Sequence, residues 1–308
     1  MKRAAFKVRV LAALGAAATL GVFTGPAHAQ TDTLRKIKDT GTITMGVRDA
    51  SGAMSFTVRG NQYTGFHVEV CERIVADIQQ ALKLDKLAVK YQLVTPQNRI
   101  ALVQNGTVDL ECGTTTNNAA RQKDVAFAPT LYVEGVRVAV KTASGIASPA
   151  QLASKAVAAT TGSTAVQQLR KLQREGVTGM SEVLAKDNSE GFLLLESGRV
   201  DAFVADGQIL ATLISRSREP AQYTLLDKVL SVEPIAIMIP KGDAALKTLV
   251  DQSVQRLARS GEAASLYAKW FTQPIPPSGQ TVGLPANALT QAAWANPSDK
   301  PLEAYETK

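Results

Sequence analysis

The chain has 308 residues, 45% of them hydrophobic and 20% charged, and its 34 lysines and arginines outnumber its 27 acidic residues. Residues 1–29 hold four of these basic residues and no acid, so the remaining chain carries 30 minus 27, or +3. Because this excess is small and scattered, we exclude nucleic acid as a partner. After residue 29 the chain has a single histidine, His67. It therefore has too few histidines for a typical zinc site, and Ser-His or Cys-His catalysis would depend on this one residue. We therefore expect no metal, no cofactor and no enzymatic activity.

The beginning of the chain predicts an export signal. Four basic side chains in residues 1–10 precede an apolar run at residues 11–23, and the Ala-His-Ala triplet at 27–29 has the small-x-small pattern that signal peptidase cuts. The apolar run is too short to span a bilayer. We expect cleavage after residue 29 and a soluble, periplasmic protein.

The first half of the chain predicts alternating strands and helices. Residues 42–47 alternate as a strand that runs into Arg48, and residues 67–82 repeat apolar side chains at helical spacing. A second strand at 87–94 leads to Arg99 at the start of a helix. Open α/β sheets place ligand groups where strands end in such polar turns.

Residues 107–121 are polar after a short buried strand. A glycine, three threonines including Thr114 and Thr116, and two asparagines lead to Arg121. Glycine lets a ligand approach the backbone, and an arginine near the N-terminus of a helix capped by Asn117 or Asn118 suits a carboxylate. An ordinary polar loop is the alternative. In the same region, Cys112 is predicted to form a disulfide with Cys71 of the preceding helix, or both cysteines are buried free thiols.

The second half of the chain repeats the design of the first. A strand at 156–160 runs into a turn with Ser163 and Thr164, which again can direct N–H groups at an anion. LLESGRVDA at 194–202 resembles LVQNGTVDL at 102–110, and a strand follows that ends near Asp206. This echo predicts two similarly built lobes, unless a common helix-turn-strand pattern recurs by chance. From residue 274 onward, the composition indicates an extended strap.

Five motifs in order resemble one family. They are GVRD at 46–49, QNRI at 97–100, QNGTVDLECGTTTNN at 104–118, LESGRVDAF at 195–203 and KWFTQPIPP at 269–277. Across about residues 33–277 the chain resembles the periplasmic amino-acid-binding proteins of ABC importers (solute-binding protein family 3), and most closely their glutamate/aspartate branch.

The resemblance implies a type II periplasmic binding fold with two α/β lobes, two crossing strands and a ligand cleft between the lobes. The crossings are expected near 136–140 and 234–239. The implied organisation is a signal peptide at 1–29, lobe 1 at 30–140 and 235–273, lobe 2 at 141–234, and a tail at 274–308.

The resemblance also implies roles for individual residues. Arg121 would bind the α-carboxylate of an amino acid, assisted by Thr116 and by Ser163 or Thr164, while Asp206 would accept the α-ammonium group. Arg48 and Arg99 would favour an acidic side chain, and Thr114 would line the floor. A permease in the inner membrane would be the partner of a monomeric receptor.

Two positions depart from the relatives of that branch. Asn188 stands where they have a histidine near the side-chain carboxylate, and Pro96 stands where they have a serine. A receptor for glutamine, asparagine or a broader range of amino acids therefore remains an alternative. A dehydratase on the same fold is a second one, and the sensor domain of a larger receptor is a third.

Overall fold

Strands and helices alternate through the part of the chain that the computed structural model describes, residues 32–275 and 279–305. The predicted signal peptide lies outside the described residues. The strands are β1 Thr42–Val47, β2 Ala50–Ser51, β3 Ser55–Arg59, β4 Gln62–Thr64, β5 Ala88–Leu93, β6 Leu110–Glu111, β7 Val125–Phe127, β8 Tyr132–Lys141, β9 Ala156–Thr160, β10 Ser181–Ala185, β11 Ala202–Asp206, β12 Tyr223–Leu225, β13 Ser231–Ile235 and β14 Met238–Pro240. The α-helices are α1 Thr33–Thr40, α2 Phe66–Ala81, α3 Arg99–Gln104, α4 Thr164–Arg174, α5 Asn188–Glu196, α6 Gly207–Arg216, α7 Ala244–Arg259, α8 Glu262–Tyr267 and α9 Ala288–Ala295. None of the helices in these ranges has the length and apolar composition that crossing a bilayer requires.

Two sheets form the framework of the two predicted lobes. The first has the strand order β5-β1-β6-β14-β7, and the second has the order β10-β9-β11-β8-β12, with β13 also paired to β8. β1 is parallel to β5 and β6, and β9 is parallel to β10 and β11. The mixed α/β class is confirmed.

Side-chain alternation explains how both sheets bury their faces. Ile43, Met45 and Val47 of β1 are fully buried in a cluster shared with α2, α7 and α8. In the second sheet, Val157 belongs to one apolar cluster and Ala158 to another. Successive side chains of a strand point to opposite faces, so helices can cover both sides of each sheet.

The chain passes between the two sheets twice. The first passage, residues 128–131, joins β7 to β8, and the second, residues 236–237, joins β13 to β14. The Ala128 N–H donates to the Ile237 carbonyl at 2.9 Å, so the two passages lie side by side. The first lies before the predicted 136–140, which pairs with β11 inside the second sheet. The lobe boundary predicted after residue 140 also falls within β8.

Two local expectations differ from the structure. Residues 117–120 do not begin an α-helix, and Arg121 starts only a 3-10 turn, Arg121–Lys123. The backbone of Asn117 is engaged elsewhere, because its N–H donates to the Pro234 carbonyl and its carbonyl accepts from the Leu302 N–H. The tail is not wholly extended either, since it contains α9, whose N-cap side chain Asn287 accepts a hydrogen bond from the Thr290 N–H at 2.8 Å.

A disulfide joins the first lobe's main helix to the polar stretch that follows β6. It links Cys71 of α2 to Cys112, which confirms the predicted pairing. Both residues are fully buried. The start of the polar stretch is therefore held covalently against the core.

Candidate functional site

Polar side chains follow the carboxyl ends of the parallel strands in both sheets. In the first sheet they are Arg48 after β1, Arg99 after β5, and Thr114 and Thr116 after β6. In the second sheet they are Ser163 and Thr164 after β9, Asn188 after β10, and Asp206 at the end of β11. Carboxyl ends of parallel strands are where open α/β sheets bind ligands, so the topology brings both sets to one place.

These eight residues line one narrow cleft. The remaining lining comes from Pro96, Ala165, Ala205 and Ile209, which are apolar. The cleft thus combines a small apolar surface with converging cations, hydroxyls and a carboxylate, as binding sites for small polar molecules do.

Arg121, the ninth predicted residue, is not among the residues that line the cleft. Its Nη1 donates to the Thr116 carbonyl at 2.8 Å, and its Nη2 donates to the Gly162 carbonyl at 3.5 Å. The Asn118 side chain accepts from the Arg121 N–H at 2.8 Å and holds the turn. Arg121 therefore connects the loop after β6 with the turn after β9, beside the cleft.

Arg48 and Arg99 are buried cations with unused donors. They are 4% and 3% exposed, and Arg48 Nη1 and Arg99 Nε have no hydrogen-bond partner within the described part of the chain. Burial, followed by the nearby charge of Arg99, lowers the pKa of Arg48 to about 10. The same two causes lower the pKa of Arg121 to about 9. All three arginines are still protonated at neutral pH, and an anion placed among them would relieve their repulsion.

Two buried carboxylates beside these arginines were missed from the sequence. Glu111, at the end of β6, accepts from the Thr115 hydroxyl at 2.6 Å, while its Oε1 lacks a partner among the described residues. Glu233, on β13, is fully buried as well. Each is an acidic residue next to apolar ones in a strand (Leu110-Glu111 in β6 and Val232-Glu233-Pro234 in β13), and that was the available signal. Together with Asp206 they give three carboxylates against three arginines.

Asp206 titrates unusually. Burial in the cleft, and then the carboxylates of Glu233 and Glu134, raise the pKa of Asp206 well above its ordinary value, although Arg99 and Arg121 oppose that shift. A carboxyl group of this kind gains from an ammonium partner, which stabilises its ionised form.

Several contacts join the two lobes across the cleft. The Asn188 amide donates to the Ala50 carbonyl at 2.7 Å, and its oxygen accepts from the Thr160 hydroxyl at 2.7 Å. A Cβ on Gly162, in the second lobe, would lie 2.8 Å from the Pro96 carbonyl oxygen in the first. The lobes therefore meet directly, and the structure has the closed arrangement of the cleft.

Sequence comparison identifies what the chain resembles. The pattern of the bacterial extracellular solute-binding proteins, family 3, matches residues 43–273. An L-glutamate/L-aspartate-binding protein of Pseudomonas aeruginosa is 40% identical over 274 residues, which cover 89% of this chain and 91% of the relative. A glutamate/aspartate import solute-binding protein of Escherichia coli is 36% identical over 290 residues, covering 94% and 96%.

Structural comparison agrees with this similarity. The crystal structure of an ancestral amino acid-binding protein, described as a precursor of cyclohexadienyl dehydratase, superposes with a TM-score of 0.68 and 25% sequence identity. The match covers 77% of this chain and 99% of that one. The fold is therefore that of the two-lobed, type II periplasmic amino-acid-binding proteins, as expected from the sequence.

Proposed function

Because the chain belongs to family 3 of the bacterial extracellular solute-binding proteins, we propose that its cleft binds an acidic amino acid, glutamate or aspartate. The two relatives named for these ligands align over nearly their full lengths, which supports the proposal.

The observation that carries this choice is the pair of unpartnered donors, Arg48 Nη1 and Arg99 Nε. A buried donor without an acceptor costs about 1–3 kcal/mol. A side-chain carboxylate supplies acceptors for two guanidinium groups, whereas an apolar side chain supplies none. An acidic ligand also brings a net negative charge, which suits a site where Asp206, the one acid among the described lining residues, has a raised pKa.

The other end of the ligand completes the proposal. Arg121 would bind the α-carboxylate by leaving its present backbone acceptors or by sharing its donors with them. Asp206 would accept the α-ammonium group, and Ser163, Thr114 and Asn188 would supply further polar contacts. In closing around such a ligand, the lobes would both contact it, so that the ligand stabilises the closed state alone.

A second candidate is a receptor for glutamine, asparagine or a broader range of amino acids. The neutral side chain of Asn188 favours it, because the amide already serves Ala50 and Thr160 and adds no positive charge. A neutral ligand amide would have one oxygen for the two arginine donors. We therefore rank this candidate second.

The test is a screen of the twenty amino acids by thermal unfolding and calorimetric titration. We expect glutamate or aspartate to raise the melting temperature, because a ligand at 100 times its Kd adds about 2.7 kcal/mol of stability. Tight binding of glutamine or asparagine in place of the acids would establish the second candidate. If none of these four ligands binds, the proposed function is wrong.

The proposed setting is the periplasm, after export and removal of residues 1–29. There a monomeric receptor would deliver its ligand to permease subunits of an ABC importer in the inner membrane. We propose no catalysis, because the lining residues within ranges 32–275 and 279–305 include one carboxylate and no histidine, cysteine or lysine. Turnover of prephenate or arogenate by the purified protein would contradict that view.

A further inference from the structure

Glu233 joins hydroxyl groups from both lobes. Its Oε2 accepts hydrogen bonds from the Thr116 hydroxyl at 2.5 Å and from the Thr164 hydroxyl at 2.8 Å. Its Oε1 accepts from the Ser231 hydroxyl at 2.9 Å. Thr116 follows β6 of the first sheet, and Thr164 begins α4 against the second. One buried carboxylate oxygen thus holds a hydroxyl from each wall of the cleft.

These hydrogen bonds determine which way the two threonine hydroxyls point. A hydroxyl group has one hydrogen to donate and two lone pairs to accept with. A carboxylate can only accept hydrogen bonds, so Thr116 and Thr164 both donate their hydroxyl hydrogens to Glu233. Both threonines line the cleft. Toward the cleft they therefore offer lone pairs and no hydrogen.

The charged groups around the cleft are also divided into hydrogen-bond acceptors and donors. Asp206 lines the cleft, and Glu233 has the largest effect of the charged groups that act on the pKa of Asp206. Two threonine oxygens and the Asp206 carboxylate are acceptors, whereas Arg48 and Arg99 are donors. A zwitterionic ligand needs three acceptors for its ammonium group and donors for its carboxylates.

We propose that Glu233 is a positioning residue that sets the polarity of the cleft, making Thr116 and Thr164 acceptors for the α-ammonium group of the ligand. This inference rests on the proposed function and deepens it. It also revises the expectation from the sequence that the hydroxyls of these two threonines assist the α-carboxylate. Glu233 itself does not line the cleft and acts through the threonines.

The experiment compares glutamate with glutarate, which keeps both carboxylates and lacks the ammonium group. Affinities are measured by calorimetry and, for weak binding, by ligand-observed NMR, in wild type, Glu233→Met and Thr164→Val. Methionine is close in size to glutamate and cannot fix the hydroxyls, and valine removes one acceptor. We expect each variant to lose about tenfold or more in glutamate affinity, while glutarate affinity does not fall.

Ser231→Ala is the matched control, because it removes the hydroxyl from the other oxygen of Glu233 and leaves both threonine contacts intact. We expect its glutamate affinity to stay within about twofold of wild type. Equal losses for both ligands in Thr164→Val, or an unchanged glutamate affinity, would overturn the inference even if Glu233→Met does not fold. A wild type that binds neither glutamate nor aspartate would instead contradict the proposed function.

Discussion

Single buried residues create most of the chemistry of the cleft. Arg48 and Arg99 retain unused donors because Arg48 Nη1 and Arg99 Nε are buried without an acceptor among the described residues. Asp206 differs from an exposed aspartate because its surroundings oppose its charge. The arginines therefore favour an anion, and the raised pKa of Asp206 makes its ionisation depend on a cation arriving.

The raised pKa of Asp206 predicts that binding of an ammonium-bearing ligand releases a proton. Below the raised pKa the free protein holds this proton, and the ammonium group favours its loss, so affinity should increase as the pH rises through that pKa. Titrations in buffers of different ionisation enthalpy would measure the release. Asp206→Asn should bind more weakly and release no proton. A wild-type binding enthalpy that is the same in all buffers would contradict the prediction.

At the scale of elements, the similar segments 102–110 and 194–202 make the same set of hydrogen bonds. Asp109 accepts from the Thr44 N–H at 2.8 Å and donates its own N–H to the Thr44 carbonyl, within β1. Asp201 does the same with the N–H and carbonyl of Ala156, at the start of β9. In both lobes, a Val-Asp pair after a glycine turn therefore anchors one strand to the next. The similarity of the two sequence segments reflects this shared construction.

Gly162, in the turn between β9 and α4, is a position where a larger side chain should hinder closure of the two lobes. Gly162 has φ +79°, and a Cβ there would lie 2.9 Å from the Gln97 Cα in the other lobe. Gly162→Ala should therefore weaken ligand binding by about tenfold or more, because the closed state must open by a few tenths of an ångström. The strain of an alanine at positive φ adds about 1–2 kcal/mol of destabilisation.

Gly145→Ala separates these two effects. Gly145 has φ +68°, and a Cβ there meets no heavy atom within 4 Å among the described residues outside its chain neighbours. In urea unfolding, Gly145→Ala should lose about as much stability as the strain at Gly162→Ala costs, and it should bind the ligand with wild-type affinity. Equal affinities for the two variants would show that the contact at Gly162 does not limit closure.

At the scale of the whole molecule, the tail braces the region where the lobes connect. The Thr290 hydroxyl accepts from the Val133 N–H at 3.1 Å and donates to the Val133 carbonyl at 3.2 Å, while the Asn287 amide donates to the same carbonyl at 2.8 Å. Val133 lies on β8 before that strand pairs with β11. Thr290 of α9 and its N-cap residue Asn287 thus bond the backbone of a strand that follows the first passage between the lobes. The Trp294 indole adds a bond to the Leu131 carbonyl at 2.8 Å.

Removing this brace should cost stability. Thr290 is fully buried, and Thr290→Val leaves the Val133 N–H without its acceptor. We expect a loss of about 1–3 kcal/mol in the free energy of unfolding, measured with urea. The neighbouring Gln291 donates its side-chain amide to the Ala286 carbonyl within the tail, so Gln291→Ala should lose less than about 0.5 kcal/mol. Equal stability of both variants would mean that the tail does not brace this strand.

The sequence by itself predicted the alternation of strands and helices, because apolar periodicity is local. It also offered the disulfide between Cys71 and Cys112, with two free thiols as the alternative. The polar ends of its strands, together with the resemblance to one family, pointed to eight residues that line the cleft, and their roles in binding stay predictions. Only the tertiary structure decided the place of Glu233, whose partner Thr116 is 117 positions away. The same holds for Arg121, which binds the Gly162 carbonyl, and for the tail at Val133. Hydrogen bonds between distant segments leave no periodic signal, because they depend on how the two sheets and the tail pack together.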